Sequence, residues 1–374
     1  MARFVDARTA ATTEDGIAVS VHRIEKILTE MQAAAGERAA ASERLQVDLV
    51  RAELAQATER LRAEIRAVND RIVPVNADEI SEKVLRHIEQ AQPWAKNLFV
   101  PKLGLAAPGS QPFMAYSTCS ATDCEAEDFV RICHELARSA QYHRKIWEWV
   151  FIMHHLRRLG VVAAGKKGLG FGVGTETMPS LFAKDGAHIV ATDAPQEIGI
   201  KAGWGKTNEF ASMLDDIRAP SIIDEDSFAR LVSFAICDMN NIGDEFTDFD
   251  FCWSSCCLEH LGSLEAGMDF IVNSVEKTLK IGGVACHTTE FNLSSNEDTI
   301  RTGSTVIYRK QDIERLIENL RNRGHIVDDL KIAPDHHPLD FFVDVPPYVQ
   351  SPHLKLSLLG FTSTSIGIIV TRGR

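Results

Sequence analysis

The sequence predicts an α/β fold built on a mainly parallel sheet, and three observations carry that expectation. Short apolar runs of strand length alternate with stretches of helical periodicity through the second half of the chain. A glycine-rich turn, at Gly168, Gly170, Gly172 and Gly174, stands between the first such run and the first helix. Two later runs end in an acid, at Asp193 and at Asp238. In an open sheet of this kind ligands sit at the carboxyl ends of the strands, where these glycines and acids fall.

The organising stretch is GLGFGVGTETMPSLFAKDGAHIVATD, from Gly168 to Asp193. Its glycines lack the Cβ atoms that would hold a ligand away from the turn, and they tolerate positive φ. The helix after the turn offers free N–H groups to whatever lies above it. The run Ile189 to Asp193 ends in a carboxylate roughly 20 residues past the turn, the separation at which an acid reaches the ribose hydroxyls of an adenosine. A dinucleotide site prefers G-x-G-x-x-G, whereas the spacing here is G-x-G-x-G, with no phosphate-binding Lys and Ser/Thr pair after it.

The rest of the sheet follows in order. Val232–Asp238 reads as a third strand and Phe249–Ser254 as a fourth, with Val284–Thr288 a fifth. Leu264–Leu279 reads as a helix closed by Lys280 and the Gly282-Gly283 turn, and Lys310–Arg323 as a helix stopped at Gly324. His325–Ile332 and Thr364–Thr371 supply the last two strands. Ahead of the glycine turn, Glu125–Ser139 is a helix opened by a Thr122-x-x-Glu125 capping pattern. Gln141–Leu159 is a second helix, with Ile146, Trp149, Val150, Met153 and Leu156 on one face. It packs on a core with an exposed basic rim, or it is a lid whose Arg144 or Lys145 meets the ligand's carboxylate.

The first quarter of the chain differs in kind. Residues 1–18 read as a flexible tail. Residues 19–95 are polar and almost free of Gly and Pro. Ile24, Leu28 and Met31, then Leu61, Ile65, Val68 and Ile72, follow the alternating spacing of a coiled-coil seam. The narrow stripe suits pairing with another helix, so we expect a helical stalk through which the chain forms a homo-oligomer. Residues 96–158 form a linker and the two helices just described, and residues 159–374 the α/β domain.

The formal net charge of -12, with no dense Lys/Arg block, argues against nucleic acid as a main partner. No apolar run approaches the roughly 20 residues of a membrane span. The N-terminal stretch lacks the apolar centre of a signal peptide, and the eight cysteines include no CxxC pair. Together these lead us to expect reduced thiols and a cytoplasmic protein. Cys119, Cys124 and Cys133 lack zinc-ligand spacing.

The G-x-G-x-G turn with its strand-terminal acid resembles motif I of the class I S-adenosylmethionine (SAM) methyltransferases. The resemblance covers about Leu159 to Arg374 and implies a Rossmann-like fold, a seven-stranded mainly parallel sheet with an antiparallel final strand. It also implies SAM as cofactor. Gly168, Gly170, Gly172 and Gly174 would cradle the aminoacyl part and Asp193 the ribose. Asp238 would take the adenine amino group, with Met239 against the ring and Ser254 on the same side. The family usually has an acid where this chain has Gly168. The segment Ser254-Ser255-Cys256-Cys257-Leu258-Glu259-His260 resembles one that, in ubiquinone-biosynthesis O-methyltransferases, is linked to a divalent metal, with Cys256 here replacing an acid. The resemblance therefore leaves a divalent metal open. His260 is then the first choice of general base, with Glu259 orienting it, and His287 or Glu290 the alternatives. The pattern as a whole looks most like methyltransferases of bacterial surface glycans, which implies a sugar hydroxyl as acceptor. A small secondary metabolite or a lipid head group is the runner-up, and a scaffold with a vestigial site the non-enzymatic alternative. The run Asp335-His336-His337-Pro338-Leu339-Asp340, followed by Asp344, interrupts the final strand pair and is expected to form part of the substrate wall.

Overall fold

The structure, a computed structural model, describes residues 111–195 and 213–374 continuously, with isolated positions between 22 and 102. The residues of the expected coiled-coil seam and the tail lie outside the described residues, though positions 22, 25 and 26 are helical. The chain divides into two units. One comprises residues 1–110, 334–341 and 360–362. In it Lys102 and Asp335 exchange hydrogen bonds, and the Asp340 carboxylate accepts the backbone N–H groups of His336 and His337. The other comprises residues 111–333, 342–359 and 363–374 and carries nearly all of the described secondary structure.

The strands are β1 (Lys167–Phe171), β2 (His188–Asp193), β3 (Val232–Ile236), β4 (Phe249–Ser255), β5 (Leu279–Asn292), β6 (Ile326–Val327), β7 (Val343–Asp344), β8 (Lys355–Leu358) and β9 (Phe361–Thr371). The helices are α1 (Ala121–Cys124), α2 (Glu127–Glu135), α3 (Arg144–Arg158), α4 (Met178–Lys184), α5 (Glu225–Leu231), α6 (Leu264–Asn273) and α7 (Lys310–Asn322). The sheet order is β3-β2-β1-β4-β5-β9-β8-β7, with β6 paired to β9. Strands β1 to β5 are parallel, and β9 runs antiparallel to β5 from Val284↔Thr371 to Asn292↔Ser363. This is the Rossmann-like methyltransferase fold that the sequence predicts, with nine strands among the described residues rather than seven, since β7 and β8 extend the sheet past β9, and with a topological reversal between β1 and β4. β4 is buried along its whole length, and Leu169, Phe171, Phe270, Leu316 and Ile366 belong to one apolar core.

Four local expectations are corrected. The first helix begins at Ser120, whose Oγ accepts the Thr122 N–H; α1 lasts one turn, and extended Ala126 separates it from α2. Thr122 is therefore not the cap. α3 has no exposed basic rim at its start: Arg144 is buried, and Trp147 is fully buried with its Nε1–H donated to Asp123 at 2.9 Å. The helix expected over Leu264–Leu279 runs as α6 to Asn273 and then as a π-helical turn, Ser274–Thr278, where Ser274 Oγ donates to the carbonyl of Ile271; Gly282-Gly283 does not close it but lies inside β5. Finally, only Ile326 and Val327 of the expected 325–332 strand reach β9. The following residues bond residues 117 and 118 instead, through Ser117 N–H to Lys331 C=O and Ala333 N–H to Thr118 Oγ1.

Candidate active site

The glycine turn leaves β1 at Phe171. Gly172 and Gly174 both have positive φ, +56° and +49°, a backbone that residues with a Cβ adopt at a cost. A Cβ on Gly172 would lie 3.0 Å from Cys257 Sγ and 3.7 Å from Met239 Sδ, so the third residue after β3 and the second after β4 both close on the turn. Gly170 is closed in the same way by Trp253 and Val173. Asp193, buried at the end of β2, is fixed to the turn: one carboxylate oxygen accepts Gly174 N–H at 3.2 Å, the other Ala194 N–H at 2.7 Å. The ends of β1, β2 and β3 thus converge, bringing Gly172, Gly174, Asp193 and Met239 together. Asp238 stands one residue before Met239, half-buried, and its Oδ1 accepts the N–H of Asn240, which closes a turn.

Gly168 is not part of the turn. It sits inside β1, and a Cβ there would fall 2.3 Å from the Phe251 ring and 2.9 Å from Ile189 Cδ1. The position of the family's acid is filled by the Phe251 ring of the neighbouring strand. Ser254 likewise lies in the interior, bonded to His287 Nδ1 at 2.7 Å, while Ser274 meets His287 Nε2 at 2.9 Å. With both ring nitrogens engaged and the side chain fully buried, burial lowers the His287 pKa to about 3. A neutral, packed imidazole of this kind ties β4, β5 and the turn after α6 together.

Beyond β4 lies a second polar group. Cys256 has positive φ (+51°) and is buried. Its sulfur, with carboxylate oxygens of Glu259 and Glu290, forms the one set of three possible cation ligands among the described residues, all within 4.8 Å of one another. A guanidinium already stands on two of them: Arg144 Nη2 is 2.5 Å from Glu290 Oε1 and Nη1 is 3.4 Å from Cys256 Sγ. The other Glu290 oxygen accepts Ser363 Oγ at 2.6 Å. Burial raises the pKa of Glu290, against Arg144, which lowers it. The Cys256 thiol is raised well above its usual range by burial and then by Glu148 and Glu259, so it is a protonated thiol and a poor ligand for a hard cation. The arrangement does not fit a divalent metal.

Glu148, one turn along α3 from Arg144, is fully buried and accepts from Ser255, Thr288 and Ser365, the last at 2.5 Å. Sequence reading missed it, together with Ser363 and Ser365. A periodic signal hides them, because α3 is buried on more than its apolar face. Lys145 extends the cluster toward the glycine turn. Burial opposes its charge, yet the carboxylates of Glu148 and Glu259 hold its pKa above the usual value. Its charge also reaches Glu176 in the turn's own sequence, whose Oε1 accepts Trp149 Nε1–H at 3.0 Å. Burial lifts the Glu176 pKa to about 8.

His260 is half-buried. Its Nδ1 lies 2.7 Å from the Ser304 carbonyl, which makes that nitrogen the protonated one, and its Nε2 is 3.9 Å from Glu259. Glu259 is buried and accepts Thr289 Oγ1–H at 3.0 Å. Beside it, Val306 N–H bonds the Glu259 carbonyl and Gly303 N–H the Gly262 carbonyl. His260 therefore pins the segment after β4 to residues 303–306.

No family model matches the sequence, and no curated protein does. Solved structures do match. A protein from Galdieria sulphuraria, provisionally assigned as a sarcosine dimethylglycine methyltransferase, is 17% identical, with a TM-score of 0.32, over 48% of this chain and 60% of that one. The magnesium protoporphyrin IX methyltransferase from Synechocystis, with bound S-adenosylhomocysteine, is 10% identical over 66% of this chain and 86% of its own, with a TM-score of 0.37. An S-adenosylmethionine-dependent methyltransferase from Clostridium acetobutylicum is 14% identical over 66% and 98%, with a TM-score of 0.34. The overlap is partial in each case and bears on no substrate.

Proposed function

We propose that this chain is a SAM-dependent methyltransferase that moves a methyl group to a hydroxyl of a sugar, a glycan or a similarly polar acceptor. One observation carries the cofactor: the ends of β1, β2 and β3 meet at Gly172, where a Cβ would touch Cys257 and lie beside Met239, with Asp193 bonded to the same turn. That cradle fits an adenosine bearing no phosphates, since no phosphate-binding Lys and Ser/Thr pair follows the turn. Asp193 would hold the ribose hydroxyls and Met239 would pack on the adenine, with Asp238 taking its amino group. Because Phe251 occupies the space an acid at position 168 would need, we assign the amino-acid end to Lys145, whose charge lowers the pKa of Glu176 just after the turn. When bound, SAM supplies a methyl group on a positively charged sulfur. The protein's part is to align the acceptor oxygen, exclude water and take its proton.

The hydroxyl acceptor is supported by the polar groups at the ends of β4, β5 and β9, which are suited to holding a hydroxylated molecule. A second reading, an acceptor with an apolar part such as a lipid head group, is favoured by Val345, Tyr348 and Val349, which stand exposed after β7. We propose also that residues 19–95 form an oligomerising stalk and that the protein works in the cytoplasm. Calorimetric titration with SAM, S-adenosylhomocysteine and NAD tests the central reading. Binding of the first two alone is expected; binding of NAD alone overturns it.

A further inference from the structure

The reaction needs a group to receive the acceptor's proton, and the three carboxylates gathered beyond β4 are engaged with other groups. Glu290 is held by Arg144 and Ser363, Glu148 by three hydroxyls, and Glu259 by Thr289. His287 has both nitrogens engaged, and His260 gives its Nδ1–H to the Ser304 carbonyl rather than to a carboxylate. A different histidine has the required arrangement. We propose that His353 is the general base, with Asp344 as its positioning residue; this assignment rests on the methyltransferase reading above.

The chain builds the pair from residues nine apart. β7 and β8 run parallel, with Val343 opposite Lys355 and Asp344 opposite Leu356, which returns the chain to Asp344 just as His353 precedes β8. Asp344 Oδ2 lies 2.6 Å from His353 Nδ1 and also accepts the Val349 N–H at 3.0 Å. Both groups are buried at their contact, with Asp344 2% and His353 8% exposed. The His353 backbone is held on both sides, its N–H by the Tyr142 carbonyl and its C=O by the N–H of Arg144. The imidazole packs on His143, centroid to centroid 4.8 Å, and on the edge of Tyr348 at 5.4 Å. A carboxylate on Nδ1 keeps the proton there and leaves the lone pair on Nε2, which has no hydrogen-bond partner among the described residues. Arg144 links this place to the cofactor side, since its guanidinium meets Cys256, the neighbour of the Cys257 that closes on Gly172.

In the transfer the acceptor oxygen forms a bond to the methyl carbon as the carbon–sulfur bond breaks, and that electron pair stays on sulfur. The oxygen's proton passes to His353 Nε2 and then to water. Asp344 keeps its hydrogen bond to Nδ1–H and stabilises the imidazolium.

The test uses the full chain. Histidine labelled with nitrogen-15 reports the tautomer by NMR, with the signal assigned by its loss in His353→Gln. The expected form carries the proton on Nδ1, and Asp344→Asn should shift it towards the other tautomer. A wild-type Nε2–H form, or one unmoved in Asp344→Asn, overturns the dyad. In parallel, methyl transfer from SAM to methyl α-glucoside at high concentration should fall 10²–10⁴-fold in kcat in His353→Gln. SAM affinity by calorimetry should not change, and equal turnover overturns the assignment. Failure of the wild-type chain to bind SAM defeats the methyltransferase reading and the base with it, whereas SAM binding with the wrong tautomer defeats the base alone.

Discussion

Replacing Gly168 with Ala puts one methyl group where the structure has no room for it. Its Cβ would stand 2.3 and 2.5 Å from two carbons of the Phe251 ring and 2.9 Å from Ile189 Cδ1. Those neighbours are in adjacent, hydrogen-bonded strands, because Gly168 pairs with Ile189 in β2 and Phe251 in β4. The sheet spacing cannot open at one residue, so the ring must leave its rotamer or the strands must shift. Such overpacking costs about 1–3 kcal/mol. For a domain of this size each kcal/mol lowers Tm by roughly 2–4 °C, so a fall of about 2–12 °C is expected by scanning calorimetry. The sign should reverse when the obstruction is removed. Phe251→Ala alone should cost about 3–5 kcal/mol. In that background Gly168→Ala should be neutral or stabilising by about 0.5–1 kcal/mol, since glycine is unfavourable in a strand interior. A double-mutant cycle thus isolates the contact. An unchanged Tm in Gly168→Ala, or equal effects in both backgrounds, would refute the account of why this position has no acid.

Three further outcomes test other parts of the structure. Asp193→Ala should abolish SAM binding by calorimetry while Asp238→Ala weakens it less; unchanged affinity in the first removes Asp193 from the ribose. Burial raises the pKa of Glu176 from 4.5 to about 8 in the folded protein. Between those values the folded state holds a proton that the unfolded state has lost, so this group makes stability fall as pH rises through the window. Glu176→Gln should flatten that slope in urea titrations at several pH values, and an unaltered slope would show the carboxyl to be solvated. Deleting residues 1–95 should lower the oligomeric mass by light scattering, with an unchanged mass ending the stalk proposal.

The centre of the site is legible in the sequence because its signals are local. The G-x-G-x-G spacing and the strand-terminal Asp193 specify a strand, a turn, a helix and a strand within 26 residues, and β1, α4 and β2 follow in that order. Arg144, Glu259 and Glu290 stand out in the sequence, but the pairings of the polar groups around the site are not legible, because the partners are far apart in the chain. Arg144 meets Glu290, Glu148 meets Ser365 and Thr288, and His353 is positioned by the backbone of Tyr142 and Arg144. A Glu at an internal helix position reads as solvated until a strand more than 200 residues later covers it with a hydroxyl. His260 and His287 attract attention for the opposite reason: they stand next to strand ends, yet each is fastened to local partners, Ser304 in one case and Ser254 with Ser274 in the other.

The place of β9 has a consequence for the order in which the domain can be made. Strands β3-β2-β1-β4-β5 assemble from a contiguous stretch of chain, but β9 inserts beside β5 only after an excursion through α7, β7 and β8. Ser363 and Ser365 arrive with it, and they are the hydroxyls that meet Glu290 and Glu148. Until β9 docks, Glu290 on the edge strand β5 and Glu148 on α3 lack those bonds, and that edge stays hydrated. Such late, long-range pairing is slow. A charged, watered edge is also a poor template for pairing with a second chain, so the acids that later lie buried protect the half-made domain while it waits.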